Sequence, residues 1–451
     1  MRSAPPHPQP WRRARPGDDG LHPQGGGDGI GMGADRKDDA QRRLSSLTAA
    51  LYAIGGVQVA FFPLWLGARG LSGAEIATIL AACPAIRILS NLIGARIGDA
   101  RGDYGRLIIL YATASAAIFV ALGFAQGFWV LLAGVTALSF AQAPISVLND
   151  GLVLGEAHRR RELGLPALNF SAVRGWGSAS VLVFMLASGP LAQRLPADAL
   201  IWIMTGVAFL STAAGAFFVH GFAAARPAAH ETPEAPQATH AALQRPLLFA
   251  AIIACAAMVQ GSHGFLTVFA SLHWAARGFD PTFISIAWAT AMAAEVAFFM
   301  AAGEWFGGEK RAVFFLMIGA AGAILRWTIF ANDPEPWGVL CAQALNPLSA
   351  SAVALGAAYL IAELGGKAYT ARVHGWLAAA NGATLSAALY ASGPLEAAFG
   401  QRGYLAMAAM AGAGLALSFA VAGATRGSVI TEKKGRATAA ARPSQKETES
   451  A

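Results

Sequence analysis

AEIATILAACPAIRILSNLIGARIGDARGDYGR, residues 74–106, is the stretch that decides the fold. Between Ile76 and Ala95 its only charged side chain is Arg87, and it closes on a short loop dense in Gly, Asp and Arg. An apolar run of about 20 residues spans a bilayer as a helix. A charge at bilayer depth costs roughly 3 kcal/mol or more on insertion scales, so such a residue faces a cavity and finds a partner. Asp150, Arg174, Glu295 and Arg326 repeat the situation inside or at the rims of other apolar stretches. Charges of both signs on several helices imply a polar interior through which a proton, an ion or a charged solute can move.

Composition agrees. Hydrophobic residues make up 55% of the chain and charged residues 13%, with a mean hydropathy of +0.48. A soluble domain carries about 25% charged residues. The 51 glycines, with many alanines, suit helices that pack closely in lipid. Cys83, Cys255 and Cys341 lie far apart in apolar segments and form neither a metal-ligand spacing nor a disulfide framework, so no cofactor or metal is expected. The net charge of +7 would suit nucleic acid. Its placement in the tails and in alternate short loops is instead the positive-inside pattern of a membrane protein.

Residues 1–45 are rich in Pro, Gly, Arg and Asp and read as a disordered cytoplasmic tail without a signal-peptide core. Met32, which leads directly into the first helix, is the expected start. From Ser46 the expected spans are 46–68, 74–97, 106–125, 127–150, 168–190, 198–220, 247–272, 281–304, 312–331, 337–362, 370–393 and 403–423. The Pro-bearing segment 221–246 divides them into an N-terminal bundle, 46–220, and a C-terminal bundle, 247–423, followed by a disordered tail, 424–451. Arg96, Arg101 and Arg106 follow span 2, and Arg159, Arg160 and Arg161 follow span 4. Lys310 and Arg311 follow span 8, and Lys367 and Arg372 precede span 11. That asymmetry puts both termini and the linker in the cytoplasm. The expected fold class is therefore an all-α membrane protein of 12 transmembrane helices in two pseudo-symmetric six-helix bundles.

This layout resembles the major facilitator superfamily. The loop Gly98-Asp99-Ala100-Arg101-Gly102-Asp103-Tyr104-Gly105-Arg106 resembles that superfamily's Asp-Arg-x-Gly-Arg loop, spread over two overlapping copies. Phe170-Ser171-Ala172-Val173-Arg174-Gly175-Trp176-Gly177-Ser178 resembles the span 5 stretch of the phenylpropionate-permease-like facilitators, relatives of the lactose permease and nucleoside-proton symporters. Gln260-Gly261-Ser262-His263-Gly264, Ala294-Glu295-Val296, Arg326-Trp327 and Ala85-Ile86-Arg87-Ile88 are similar to the same group, in order along the chain. One departure stands out. Gln343-Ala344-Leu345-Asn346-Pro347 has Asn where the family often has His, and Asn cannot titrate near neutral pH.

The resemblance and the charges together nominate residues for roles. Burial in an apolar helix disfavours the ionised form of Glu295, while a nearby guanidinium favours it, so Glu295 with Arg326 as partner is the candidate proton-coupling pair. A fixed ion pair is the alternative. Arg87, Asn149, Asp150, Arg174, Gln260, His263, Gln343 and Asn346 are the candidate substrate-binding residues. Arg174 offers a fork suited to a carboxylate for which a solute would compete with Asp150, or else the two form a structural clasp. Trp176, Phe265, Trp274 and Trp288 are candidate aromatic walls, and Trp274 suits an interfacial anchor as well. Asp99, Arg101, Asp103, Gly105 and Arg106 form the candidate conformational loop. Pro84, Pro144 and Pro347 are candidate helix bends.

The expectation is a proton-coupled symporter of a small organic solute such as the aromatic carboxylate 3-phenylpropionate, working by alternating access. It would be an integral protein of the bacterial cytoplasmic (inner) membrane, monomeric, with solute, protons and the lipid bilayer as partners and no nucleic acid. A neutral sugar or nucleoside is the alternative solute. No Walker, zinc or nucleophile-elbow pattern supports an enzyme. A facilitator-derived sensor would carry a sizeable cytoplasmic domain, and the tails here are short.

Overall fold

The computed structural model describes residues 29–220, 222, 246–302 and 309–440, and among these no strand occurs. The chain runs α1 Gly29–Ala68, α2 Gly73–Arg101, α3 Tyr104–Phe124, α4 Phe128–Glu162, α5 Phe170–Ala192 and, after a 3-10 turn, α6 Leu200–Phe218. It resumes with α7 Pro246–Gly261, α8 Gly264–Ala276, α9 Pro281–Ala302 and α10 Glu309–Ala331. Two short helices follow, α11 Pro336–Ala344 and α12 Asn346–Ser349, then α13 Ser351–Phe399 and α14 Tyr404–Ala440.

Local chemistry sets several of these ends. Ser72 Oγ accepts from the Glu75 amide at 3.3 Å while the Glu75 carboxylate accepts from the Ser72 amide at 2.8 Å, a capping box that starts α2. Gly102, at φ 65°, closes it in the left-handed conformation that costs glycine least. Asp103 then caps α3 through the Arg106 amide at 3.1 Å, and Asn169 caps α5 through the Ala172 amide at 3.0 Å.

Among the described residues eleven helical stretches are long and apolar enough to cross a bilayer, and the last, Val373–Thr425, contains the 3-10 turn Gly400–Gly403 and has the length of two crossings. Large apolar side chains such as Leu110, Phe217 and Met300 are exposed, the kind of surface that lipid rather than water covers. The chain is an integral membrane protein.

Several boundaries differ from expectation. Helix α1 already includes residues 29–45, with Leu44 fully buried, because Gln41 and Arg43 tie that segment to the α5 start and the α6 end. The remaining N-terminal residues, 1–28, most of the linker and residues 441–451 lie outside the described residues. Helix α14 continues to Ala440, past the expected end at 423. The expected break at 363–369 is helical within α13. Gly356 packs on Ala312 and Leu316 at the start of α10, and Gly393 packs on Ala74 and Ala77 at the start of α2, so this one run approaches one face and returns to the other. Helices α2 and α4 continue through Pro84 and Pro144; only Pro347 stands at an interruption.

Contacts define two rims. Gly67 at the end of α1 packs on Leu272 in α8, Arg69 pairs with Asp198 before α6 at 3.0 Å, and Arg277 after α8 pairs with Asp333 after α10 at 3.1 Å. On the other face Gln41 donates to the Asn169 carbonyl at 3.2 Å and Arg43 to the Phe218 carbonyl at 3.1 Å, where the linker leaves. The two halves meet at the first rim. A Cβ on Gly189 of α5 would collide with Ser285 of α9, and Thr282 donates to the Gln193 side-chain oxygen at 2.8 Å. Small residues let these backbones approach closely.

Candidate functional site

A cavity of about 190 Å³ opens within the first half, between α1, α2, α3, α4, α5 and α6. Arg87 projects into it from the middle of α2, where Ser90 hydrogen bonded to the Phe140 carbonyl and Gly94 packed on Pro144 hold α2 against α4. Across the cavity Gln142 of α4 donates to the Gln58 side-chain oxygen of α1 at 3.2 Å. Tyr52, Ser115, Ser146 and Ser211 add hydroxyl-bearing side chains to the wall. Among the described residues Arg87 has no carboxylate within ion-pair distance. A guanidinium in an apolar bundle without a counter-charge is a site where an anion is favoured.

Asp150 and Arg174 do meet. Arg174 Nη1 lies 2.9 and 2.8 Å from the two Asp150 oxygens and donates to the Tyr52 hydroxyl at 2.8 Å, with its guanidinium 5.6 Å from the Tyr52 ring centre. Since Tyr52 also lines the cavity, this triad borders its side toward the linker. Asn149 points elsewhere: it is fully buried and donates to Thr48 at 3.0 Å, joining α4 to α1.

The second half holds a separate polar cluster around Arg326. This side chain is fully buried, with Nε donating to the Ala342 carbonyl at 2.9 Å and Nη1 to Asn346 Oδ1 at 2.8 Å and Ser349 Oγ at 3.1 Å; Nη2 donates to Gln343. Its guanidinium also lies 4.9 Å from the Trp327 ring centre. The break at Leu345 builds this site, because Pro347 has no N–H for the preceding turn and the interrupted helix turns polar groups inward. Glu295 does not touch Arg326 directly. Asn346 stands between them, donating to Glu295 Oε2 at 3.2 Å.

His263 joins through Ser349, whose Oγ is 3.2 Å from Nε2. The carbonyls of Val259 and Gln260 both lie 3.2 Å from Nδ1, which places the proton there and leaves Nε2 to accept. Gln260 donates to the Ala350 carbonyl at 3.0 Å, at the second interruption of the helix. The expected binding residues therefore divide: Arg87, Asp150 and Arg174 gather in the first half, and Gln260, His263, Gln343 and Asn346 surround Arg326 in the second.

In the loop after α2, Asp99 accepts from the Tyr104 hydroxyl at 2.7 Å, and Asp103 both caps α3 and pairs with Arg106 at 3.0 Å. Gly105 packs on Val219. Arg101, the last residue of α2, is exposed. Of the candidate aromatic walls, Phe265 and Trp274 are buried in the core, Trp288 donates to Ser271 at 3.0 Å, and Trp176 is exposed. Tyr52, Gln58 and Gln142 were not singled out in the sequence, although two glutamines inside spans 46–68 and 127–150 carry the same signal that nominated Asn149.

The model of the MFS_1 like family matches residues 42–391. Among solved structures the fold is similar to the nucleoside transporter NupG, with a TM-score of 0.71 at 15% identity over 85% of this chain and 98% of that one. It is also similar to the peptide transporter POT in complex with sulfate, with a TM-score of 0.66 at 13% identity over 86% of this chain and 94% of that one. No curated protein matches. At such identities the likeness carries the fold, while the family match covers most of the sequence. The chain belongs to the MFS_1 like family, whose major facilitator fold serves membrane transport rather than enzymatic catalysis.

Proposed function

We propose that this transporter is a proton-coupled symporter of a small organic carboxylate, with the solute in the first-half cavity and the proton on Glu295 in the second half. The observation that carries the reading is Arg87, a cation lining a cavity with no carboxylate partner among the described residues. A solute carboxylate supplies the missing charge and takes a planar, two-pronged hydrogen bond from the guanidinium. Glu295 is half-buried and accepts a hydrogen bond from the neutral Asn346 carboxamide, and it is the carboxyl group to which we assign the coupled proton. Alternating access would proceed by opening the small-residue contact between the halves, with the loop Asp99–Arg106 biasing the two states. The protein works as a monomer in the bacterial cytoplasmic membrane, with both termini and the linker inside, as the loop charges indicate.

An aromatic carboxylate such as 3-phenylpropionate meets the requirement at Arg87. A neutral sugar or nucleoside is the second reading, favoured by the Gln58–Gln142 amides in the same wall. Uptake of a panel of labelled organic acids and neutral sugars into cells expressing the protein, with and without a protonophore, tests the proposal. Acid uptake that collapses with the proton gradient and is lost in Arg87→Gln is the expected result. Uptake of neutral sugars that ignores Arg87→Gln would turn the assignment to the second reading.

A further inference from the structure

We infer that the cavity takes a hydroxylated monocarboxylate, the chemical class of the sugar acids, in preference to an apolar aromatic acid; this rests on the carboxylate reading above. One cation is free and one is not. Arg174 already holds both oxygens of Asp150 at 2.9 and 2.8 Å, so among the described residues lining the cavity Arg87 is the cation left to balance a solute charge. One carboxylate completes the site, and a second would meet no free cation.

The rest of the solute faces amides. The contact between Gln142 Nε2 and Gln58 Oε1 uses one end of each side chain and leaves the Gln58 amino group as a donor and the Gln142 oxygen as an acceptor. A hydroxyl is the group that both donates and accepts. Ser146 adds a further hydroxyl to the same wall. Tyr52 is the single ring among the described lining residues, and it is engaged by Arg174. Phe265 and Trp274, which would have stacked on an aromatic solute, are buried in the protein core. An apolar ring in this cavity would leave the two free amide ends without partners, whereas a hydroxylated chain satisfies them. Sites built to bond a hydroxyl discriminate strongly against analogues that lack it.

The test is calorimetric titration of the purified full-length protein with D-glucuronate, D-gluconate, 3-phenylpropionate and D-glucose, using wild type, Arg87→Gln, Gln142→Leu and Gln142→Asn. A monodisperse elution profile and an unchanged melting temperature establish that each variant is folded, and Gln142→Asn serves where Gln142→Leu is not. The expected result is binding of a sugar acid at least about tenfold tighter than 3-phenylpropionate or glucose. Either Gln142 variant weakens the sugar acid by about tenfold and leaves 3-phenylpropionate unchanged, and Arg87→Gln removes acid binding altogether. Tighter binding of 3-phenylpropionate, insensitive to Gln142, overturns the solute class and leaves the carboxylate reading standing. Glucose binding that survives Arg87→Gln overturns both. Absence of binding by either sugar acid to folded wild-type protein overturns the class and leaves the carboxylate reading to the uptake panel.

Discussion

Glu295 and Arg326 are joined through a carboxamide: Asn346 accepts from Arg326 at 2.8 Å and donates to Glu295 at 3.2 Å. The orientation of that amide follows from chemistry, since a guanidinium only donates and must face the oxygen. The amino group is thereby aimed at Glu295. A neutral carboxamide therefore stands between the Glu295 carboxyl group and the Arg326 guanidinium, which do not pair directly. Asn346→Ala should remove both bonds, lower stability by about 1–3 kcal/mol and reduce gradient-driven uptake more than exchange. Thermal melting and paired uptake and exchange assays in proteoliposomes check this.

Glu295→Gln keeps an acceptor for Asn346 but cannot release a proton. Uphill accumulation should disappear while counterflow of preloaded solute persists. Accumulation that still responds to the proton gradient in this variant would remove Glu295 from the coupling role.

Arg326, itself fully buried, is held by a backbone carbonyl, two side-chain amides and a hydroxyl, of which the Asn346 amide is half-buried. Arg326→Ala strands these acceptors. A loss of roughly 3–5 kcal/mol is expected from breaking such a buried charged network. Arg326→Lys should recover only part of it, because an ammonium cannot reach acceptors arranged around a planar fork. Melting temperatures of the two variants beside wild type decide the point.

Gly189 and Ser285, with the Thr282–Gln193 bond at 2.8 Å beside them, form the contact that closes the two halves at one rim. With Cys83, Cys255 and Cys341 replaced by alanine, cysteines introduced at positions 193 and 282 and bridged by a short thiol cross-linker should abolish uptake, and reduction of a cleavable linker should restore it. Uptake unaffected by complete cross-linking would show that this rim does not open during transport.

Much of the architecture was legible in the chain itself. Apolar runs of membrane length, the break at 221–246 and the charges at Arg87, Asp150, Arg174, Glu295 and Arg326 identify a helical membrane protein with a polar interior, because lipid tolerates neither unbonded backbone nor unpartnered charge. Asp150 and Arg174 meet although α4 and α5 pack mainly on other helices, so their pairing was set by the tertiary arrangement. Hydropathy, however, does not report rotation about a helix axis. Asn149 and Asp150 are adjacent in sequence, yet one is buried against Thr48 and the other borders the cavity. Gln58 and Gln142 meet although 84 residues apart, and Asn346 comes between Glu295 and Arg326 because the chain breaks at Leu345 and Pro347. Which segments enter the membrane, and which charges they carry, follows from transfer energies summed along the chain. Which side chains face one another was decided only by tertiary packing, where helix rotation, close approach at small residues and one interrupted helix select among faces that composition leaves equal.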